Sequence, residues 1–250
     1  MNARVEVAWP QPLMPVRLLR RVNRFAVEAV LNDHTVYLHL PNSGRMAELL
    51  MPGTEGRAYL LGGAGRRTRG ELLLVRYGER WVSVDARMPN RLLEACLKAR
   101  ALPAFAEATG WRREVRWGSG RVDFALERAG AVGPWLVETK SCNLVEDGVA
   151  LFPDAPTVRG SRHLQELAQA VSGGGRAAVV WFVQRDDAQL LMPHRRADPA
   201  FAAALEAAVE AGVEVYAYRC RVNEEGIAVL DAIPVQVERP GGCPYQDSLP

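Results

Sequence analysis

The sequence predicts an α+β protein of two domains, a small N-terminal OB-like β-barrel followed by an α/β domain with a mixed sheet. Three observations predict it. Short alternating runs fill residues 1–84, helix-length and strand-length segments alternate from Pro89 onward, and the charge changes at the same place. Residues 1–83 hold 12 arginines, no lysine and 7 acids, whereas the remainder holds 19 basic and 22 acidic residues. A basic module joined to a more acidic one suits a polyanionic partner.

In the first part the runs are Phe25–Val30, Thr35–His39, Arg57–Leu61, Glu71–Tyr77 and Arg80–Val84. They recur about every 8–12 residues, with Asn-Asp, Pro-Asn-Ser-Gly, Pro-Gly and Gly-Gly between them, as expected of a small all-β barrel or sandwich. A five-stranded OB-like barrel is the economical choice. Val22–Asn23–Arg24 and the neighbouring arginines fall at its first strand, and the Gly62–Gly70 segment falls in a loop between strands.

The second part begins with a helix over Asn90–Lys98. Strands are expected at Arg113–Trp117, Arg121–Glu127 and Trp135–Ser141. Thr157–Val171 is amphipathic, with Leu164, Leu167, Ala168 and Val171 on one side. Ala177–Gln184 is a continuous apolar run, suited to a central strand buried on both faces. Pro199–Ala211, ended by Gly212, is a further helix, and Val213–Arg221 a last strand. The expected domains are 1–84, 85–237 and a loose tail over 238–250.

Bulk properties exclude several classes. A chain of 250 residues, 48% hydrophobic and 24% charged, has core enough to fold without staples. Met1–Gln11 lacks the apolar centre of a signal peptide, and no apolar stretch suits a bilayer. Cys96, Cys142, Cys220 and Cys243 form no C-x-x-C pair, which argues against structural zinc and a disulfide scaffold and fits a reducing cytoplasm. Oligomeric state is not legible.

The chemistry concentrates around Lys140, one of two lysines beside 29 arginines. It ends Val137–Glu138–Thr139–Lys140, in which Glu138 stands fifteen residues after Asp123. An Asp on one strand and Glu-x-Lys on the next is the signature of metal-dependent nucleases of the PD-(D/E)xK type, and the order α-β-β-β-α-β-α-β is that of their core. The lysine ammonium is a compact point charge that can face a nucleophilic water, which the broad arginine fork does less well. Spaced by two on a strand, Glu138 and Lys140 share a face, roughly 7 Å apart. Asp123 is expected to meet Glu138 across the ladder, and Thr139 to point the other way with its carbonyl free for a metal. Asp123, Glu138 and the Thr139 carbonyl are hard oxygen donors for Mg²⁺ or Mn²⁺. Such ions acidify water and clamp phosphate oxygens.

Neighbouring helices supply further candidates. Glu94 stands where many such enzymes carry an extra acidic ligand, and Arg159, His163 and Gln165 or Glu166 could reach the phosphate. Arg159 and His163 are an i, i+4 pair. Each has a blander reading as well: a salt-bridged hairpin for Asp123, Glu138 and Lys140, a solvated face for Glu94, a packing histidine for His163.

The chain resembles the sugar fermentation stimulation protein A family. The resemblance rests on Arg21–Val22–Asn23–Arg24–Phe25, His39–Leu40–Pro41–Asn42–Ser43–Gly44–Arg45–Met46, Met88–Pro89–Asn90–Arg91–Leu92, Arg121–Val122–Asp123–Phe124 and Val137–Glu138–Thr139–Lys140. It continues through Leu151–Phe152–Pro153–Asp154–Ala155–Pro156–Thr157–Val158–Arg159–Gly160, His163–Leu164–Gln165–Glu166–Leu167 and Gln184–Arg185. Departures are Thr139 for a usual Val, Arg162 for a common Lys, Ser43 for Thr and Pro156 for Val. The resemblance implies a DNA-binding protein associated with sugar (maltose) metabolism, with an OB-like domain on a PD-(D/E)xK nuclease-like domain. It places Asp123, Glu138 and Lys140 at metal and catalytic positions, and Arg66 and Arg67 at a DNA-contacting pair. Arg21, Arg24, Arg45 and Arg159 are the other expected nucleic-acid contacts.

Two functions follow as expectations. One is a divalent-metal-dependent nuclease that cuts DNA. The other is a non-catalytic DNA-binding regulator on a nuclease-like fold. A phosphoryl or sugar-phosphate enzyme fits less well, because no nucleotide-cradling glycine motif follows a strand. DNA binding without a helix-turn-helix or zinc finger is expected to be phosphate-dominated and weakly sequence-specific.

Overall fold

Val5 and Trp9 are buried apolar residues flanking a three-residue strand, β1 (Glu6–Ala8), and they decide where it goes. Both pack into the core beneath the second domain's sheet, and the Trp9 indole N–H donates to the Asn223 carbonyl at 2.8 Å. β1 therefore pairs antiparallel with the last strand of the chain, Gly226–Ile233, and not with the barrel. Its apolar anchors outweigh sequence proximity, which corrects the expectation of a barrel built from the very first residues. The computed structural model describes residues 5–62, 67–130 and 133–238.

The barrel follows as β2 (Leu13–Asn23), β3 (Ala26–Leu31), β4 (His34–His39), β5 (Glu55–Leu60) and β6 (Gly70–Tyr77). Strict alternation of buried and half-buried residues along β3 is what one packed face and one wet face require. Strand order β4-β3-β2-β5-β6 is closed by parallel pairing of β4 with β6 at Leu38–Gly70 and His39–Glu71, giving a five-stranded barrel. β7 (Arg80–Ser83) extends β6. Val16, Leu18, Val27, Leu38 and Leu72 fill the interior. The first strand is longer than Val22–Asn23–Arg24 implied. Pro12 and Pro15 mask its start, and register shifts near Leu18–Arg20 and Arg21–Asn23 break its alternation.

The second domain opens with α1 (Met88–Ala99), followed by β8 (Ala108–Trp117), β9 (Gly120–Arg128) and β10 (Trp135–Cys142). A small sheet built from β11 (Val145–Glu146) and β12 (Val149–Phe152) precedes α2 (Val158–Ser172) and β13 (Arg176–Val183). β14 (Leu190–Pro193) joins β12, and α3 (Pro199–Glu210), β15 (Glu214–Val222) and β16 (Gly226–Ile233) complete the chain. The main sheet runs β1-β16-β15-β13-β10-β9-β8, with β13 parallel to both β10 and β15 and the remaining pairs antiparallel. It is the mixed sheet of an α+β protein. The small β11-β12-β14 sheet had no separable signal, since two- to four-residue strands lack a period, and the eight-residue β16 was not among the expected strands.

Helices cover both faces. Phe124, Trp135, Val137, Val180 and Phe182 pack toward α1, while Leu136, Val179 and Trp181 meet Leu164 of α2 and Phe201 of α3. Each such side chain contributes about 1.5–3 kcal/mol of burial. Asp198 fixes the starts of two helices together. One oxygen caps α3 at Phe201 N–H (2.9 Å) and the other accepts Thr157 N–H (2.7 Å), while Thr157 caps α2 through Gly160 N–H at 3.0 Å. Among the described residues no helix is long and apolar enough to cross a membrane.

The barrel sits on this domain through apolar and polar contacts: Leu73 and Leu74 of β6 belong to the same buried core as Met88, Leu92 and Phe182. Arg57 forks onto Glu224 at 2.7 and 2.9 Å, Arg80 pairs with Asp186 at 3.0 Å, and the Asn143 amide donates to the Ser83 carbonyl. The expected tail falls outside the described residues beyond Glu238.

Candidate active site

Alternation along β10 sends Glu138 and Lys140 toward α2 and Thr139 toward α1, as expected. Lys140 Nζ donates to Glu138 Oε1 at 2.6 Å. The same oxygen is bonded to Nδ1 of His163, which is 5% exposed. Arg159 Nε donates to His163 Nε2 at 3.2 Å, so Nδ1 carries the ring proton and gives it to Glu138. A chain Arg159–His163–Glu138–Lys140 results.

Asp123 behaves differently from the expectation. The β9–β10 ladder stops at Phe124–Val137, so Asp123 is not laddered against Glu138. Its carboxylate turns into the gap where the strands part and accepts Thr139 N–H at 2.8 Å. The Thr139 hydroxyl lies between Asp123 Oδ2 (3.0 Å) and the Asn90 amide oxygen, with one proton to give. Asn90 Nδ2 donates to Asp123 Oδ1 at 3.2 Å. Glu138 Oε2 accepts the Asp123 N–H from 3.4 Å, so the two acids remain neighbours.

Their electrostatics diverge. Burial pushes the Asp123 carboxyl up, the Glu138 charge adds to this, and Lys140, the Thr139 N–H and Asn90 only partly oppose it. Burial also pushes Glu138 up, but Lys140 and His163 together outweigh it and hold the carboxyl down at about 2. Adjacent acids driven apart in this way are a feature of reactive sites.

Asp123, Glu138, Thr139 and Lys140 form one end of a cleft of about 680 Å³. Arg24, Phe25 and Asn42–Gly44 of the barrel form its far wall, and Arg159 stands at its rim. Gly44 is there for space: a Cβ would come within 2.8 and 2.9 Å of the Asp154 carboxylate oxygens. Asp154 in turn accepts Met46 N–H at 2.9 Å and holds the barrel loop against the second domain.

Several expected site residues lie elsewhere. Glu94 is engaged by Arg113 at 2.8 Å and Lys98 at 3.0 Å and does not line the cleft. Asn90, one turn earlier on α1, is what the helix brings to Asp123; its amide type gave no metal-ligand signal in the sequence. Arg21 spends its guanidinium on carbonyls of Asn23 (3.1 Å), Arg24 (2.8 Å) and Arg45, so it shapes the barrel loops and does not face solvent phosphate. Glu166 accepts the Ser119 hydroxyl at 2.8 Å and braces the β8–β9 turn, and Gln165 is exposed. Arg24, Arg45, Arg67 and Arg159 are exposed; Arg66 lies outside the described residues. Among the described residues no group of three or more His, Cys, Asp or Glu is disposed to hold a metal, so any metal would rest on two carboxylates and neutral oxygens.

Residues 19–84 match the SfsA N-terminal OB domain, and residues 87–226 match the sugar fermentation stimulation protein RE domain. A sugar fermentation stimulation protein homolog from Desulforamulus reducens is 41% identical over 93% of this chain and 96% of its own. One from Moorella thermoacetica is 42% identical over 92% of this chain and 100% of its own. The solved structure of Pyrococcus furiosus SfsA in complex with Ca²⁺ superposes with a TM-score of 0.84 and 32% identity, covering 91% of this chain and 97% of that one.

Proposed function

Because this chain belongs to the sugar fermentation stimulation protein family, we propose that it is a divalent-metal-dependent nuclease of PD-(D/E)xK type whose barrel grips DNA. The observation that carries this reading is the convergence of Asp123, Glu138 and Lys140 on one cleft beside an OB domain.

The residues fit a hard cation. Asp123, Glu138 Oε2 and the Thr139 carbonyl are oxygen donors, and the half-buried Asp123 and buried Glu138 carboxylates together carry more negative charge than Lys140 cancels. The relative solved with Ca²⁺ supports the same class of ion, Mg²⁺ or Mn²⁺ being the expected one here. Such a cation, when bound, supplies acidified water and charge neutralisation at the scissile phosphate. The chain's own residues do the rest. Lys140 keeps Glu138 ionised and sets a positive charge at the cleft floor that orients water. His163, through its Nδ1 proton, fixes the Glu138 carboxylate, and Asn90 with the Thr139 N–H fixes that of Asp123. Arg159, Arg24 and Arg45 offer charge to phosphates, which gives binding without base readout.

One observation favours the second reading, a non-catalytic DNA-binding regulator of sugar (maltose) metabolism: Glu138 Oε1 is already engaged by both Lys140 and His163. The two are separated by incubating single-stranded, duplex and branched DNA with the protein in Mg²⁺ or Mn²⁺, with binding read in EDTA. Metal-dependent cutting that disappears in Asp123→Asn and Lys140→Ala, with binding kept, supports the nuclease. Binding with no cutting on any substrate supports the regulator.

A further inference from the structure

The turn between β2 and β3 holds a large aromatic ring out in solvent. Phe25 is 49% exposed, although its backbone is held at both its N–H and its carbonyl. Its N–H donates to Asn23 Oδ1 at 2.8 Å, and its carbonyl accepts Leu40 N–H at 2.8 Å and lies 3.1 Å from His39 Nδ1. Arg21 locks the same turn from beneath through the Asn23 and Arg24 carbonyls. Single exposed apolar side chains are ordinary on a protein surface; this one is set apart by its place on the wall of the cleft.

The position of the ring gives its use. Phe25 lines the same cleft as Asp123, Glu138 and Lys140, on the barrel's wall, between exposed Arg24 and the Asn42–Gly44 loop. An apolar ring flanked by the Arg24 charge, which has no acidic partner within ion-pair distance among the described residues, and facing a polar cleft, matches a nucleobase with its phosphate better than a protein side chain. The first loop of an OB barrel is also where oligonucleotides commonly dock.

We propose that Phe25 is a stacking platform for one base of a nucleic-acid strand lying in this cleft, and that it selects unpaired nucleotides. In an intact duplex both faces of an internal base are covered by its neighbours. The ring therefore gains a partner only from a base that is single-stranded, terminal or flipped out. Arg24 and Arg45 take the phosphates on the barrel side, and Arg159 at the start of α2 takes those beyond the carboxylates. Phe25 is thus a specificity-determining residue, outside the bond-breaking machinery. The inference rests on the nucleic-acid reading given above.

The test is equilibrium binding in EDTA, so that turnover plays no part. The full chain and its Phe25→Ala and Phe25→Trp variants are titrated with labelled oligodeoxythymidylate and with the same strand in duplex with oligodeoxyadenylate. Phe25→Ala should weaken single-strand binding about tenfold and duplex binding less than twofold, and Phe25→Trp should restore it. Thermal unfolding of both variants should stay close to the parent, because the ring belongs to none of the buried apolar clusters. Parent and Phe25→Ala binding the single strand equally would overturn the platform while leaving the nuclease reading intact. Equal losses on strand and duplex would overturn the selectivity. A shift in oligomeric state with unchanged DNA binding would assign the ring to a protein contact. Failure of the parent to bind either DNA would remove both readings together.

Discussion

The Asp123 carboxylate accepts the backbone N–H of Thr139 at 2.8 Å, at the point where β9 leaves β10. A side chain thus does the work of a strand partner, and the same carboxylate stays at the cleft surface. Its ionised form is disfavoured by burial and by Glu138. Because the folded pKa lies above the unfolded one, ionisation costs stability at all pH above the folded value. Asp123→Asn, which keeps an acceptor for Thr139, should therefore be as stable as the parent or slightly more so in EDTA.

A divalent cation should reverse that ordering. If Mg²⁺ or Mn²⁺ binds the folded carboxylate pair, at a hundredfold excess over its Kd it adds about 2.7 kcal/mol to the parent. The melting temperature of the parent should rise with Mn²⁺, and that of Asp123→Asn should stay level. Equal rises in both proteins would place the metal elsewhere.

Lys140→Met should destabilise in a pH-dependent manner. Glu138 is depressed from 4.5 to about 2, so its contribution is present above pH 4.5 and fades as pH falls toward 2. Removing the ammonium leaves burial opposed only by His163, at a cost on the order of 2 kcal/mol at pH 7. Urea unfolding at pH 7 and pH 3 reads the gap between variant and parent, which should be wider at pH 7. A gap that does not change with pH would mean that Lys140 acts through packing alone.

Gly44→Ala drives a methyl group into the Asp154 carboxylate and should cost about 1–3 kcal/mol. Adding Asp154→Ala removes the obstacle, so the double variant should lose less than the sum of the two single losses. Simple additivity would show that the barrel loop yields without resistance.

Arg24→Ala and Arg21→Ala should separate by salt dependence. Loss of one phosphate contact lowers the log–log salt slope of duplex binding by about 0.9. Arg24→Ala should show that change at unaltered stability. Arg21→Ala, which strips donors from three carbonyls, should lower stability by about 1–3 kcal/mol and leave the slope nearly as it was. The reverse pattern would return Arg21 to the DNA-facing set.

The sequence made the frame legible where periodicity was long and clean. β13 and α2 stood within two residues of their expected bounds, since an apolar run and a 3.6-residue stripe each have one good solution. The sharing of a face by Glu138 and Lys140 followed from strand pleating alone. What failed was decided by contacts distant in sequence. Asn90 became a partner of Asp123 because α1 lies over the end of β9, and no pattern in residues 88–99 says so. Glu94 was claimed by Arg113 across a gap of 19 residues. Arg21 looked like its neighbour Arg24, and only the fold determines which of them faces inward to carbonyls.

The antiparallel pairing of Glu6–Ala8 with Ala228–Gly226 has a consequence for modularity. The barrel's chain enters from the far edge of the other domain's sheet and leaves through β7 into α1, so it is stitched down at both ends. Cutting the two domains apart at residue 84 would strip an edge strand from one half and leave the β16 backbone open to aggregation. The OB half of this protein is not a detachable cassette, and a clean excision of the second domain would have to carry residues 5–9 with it.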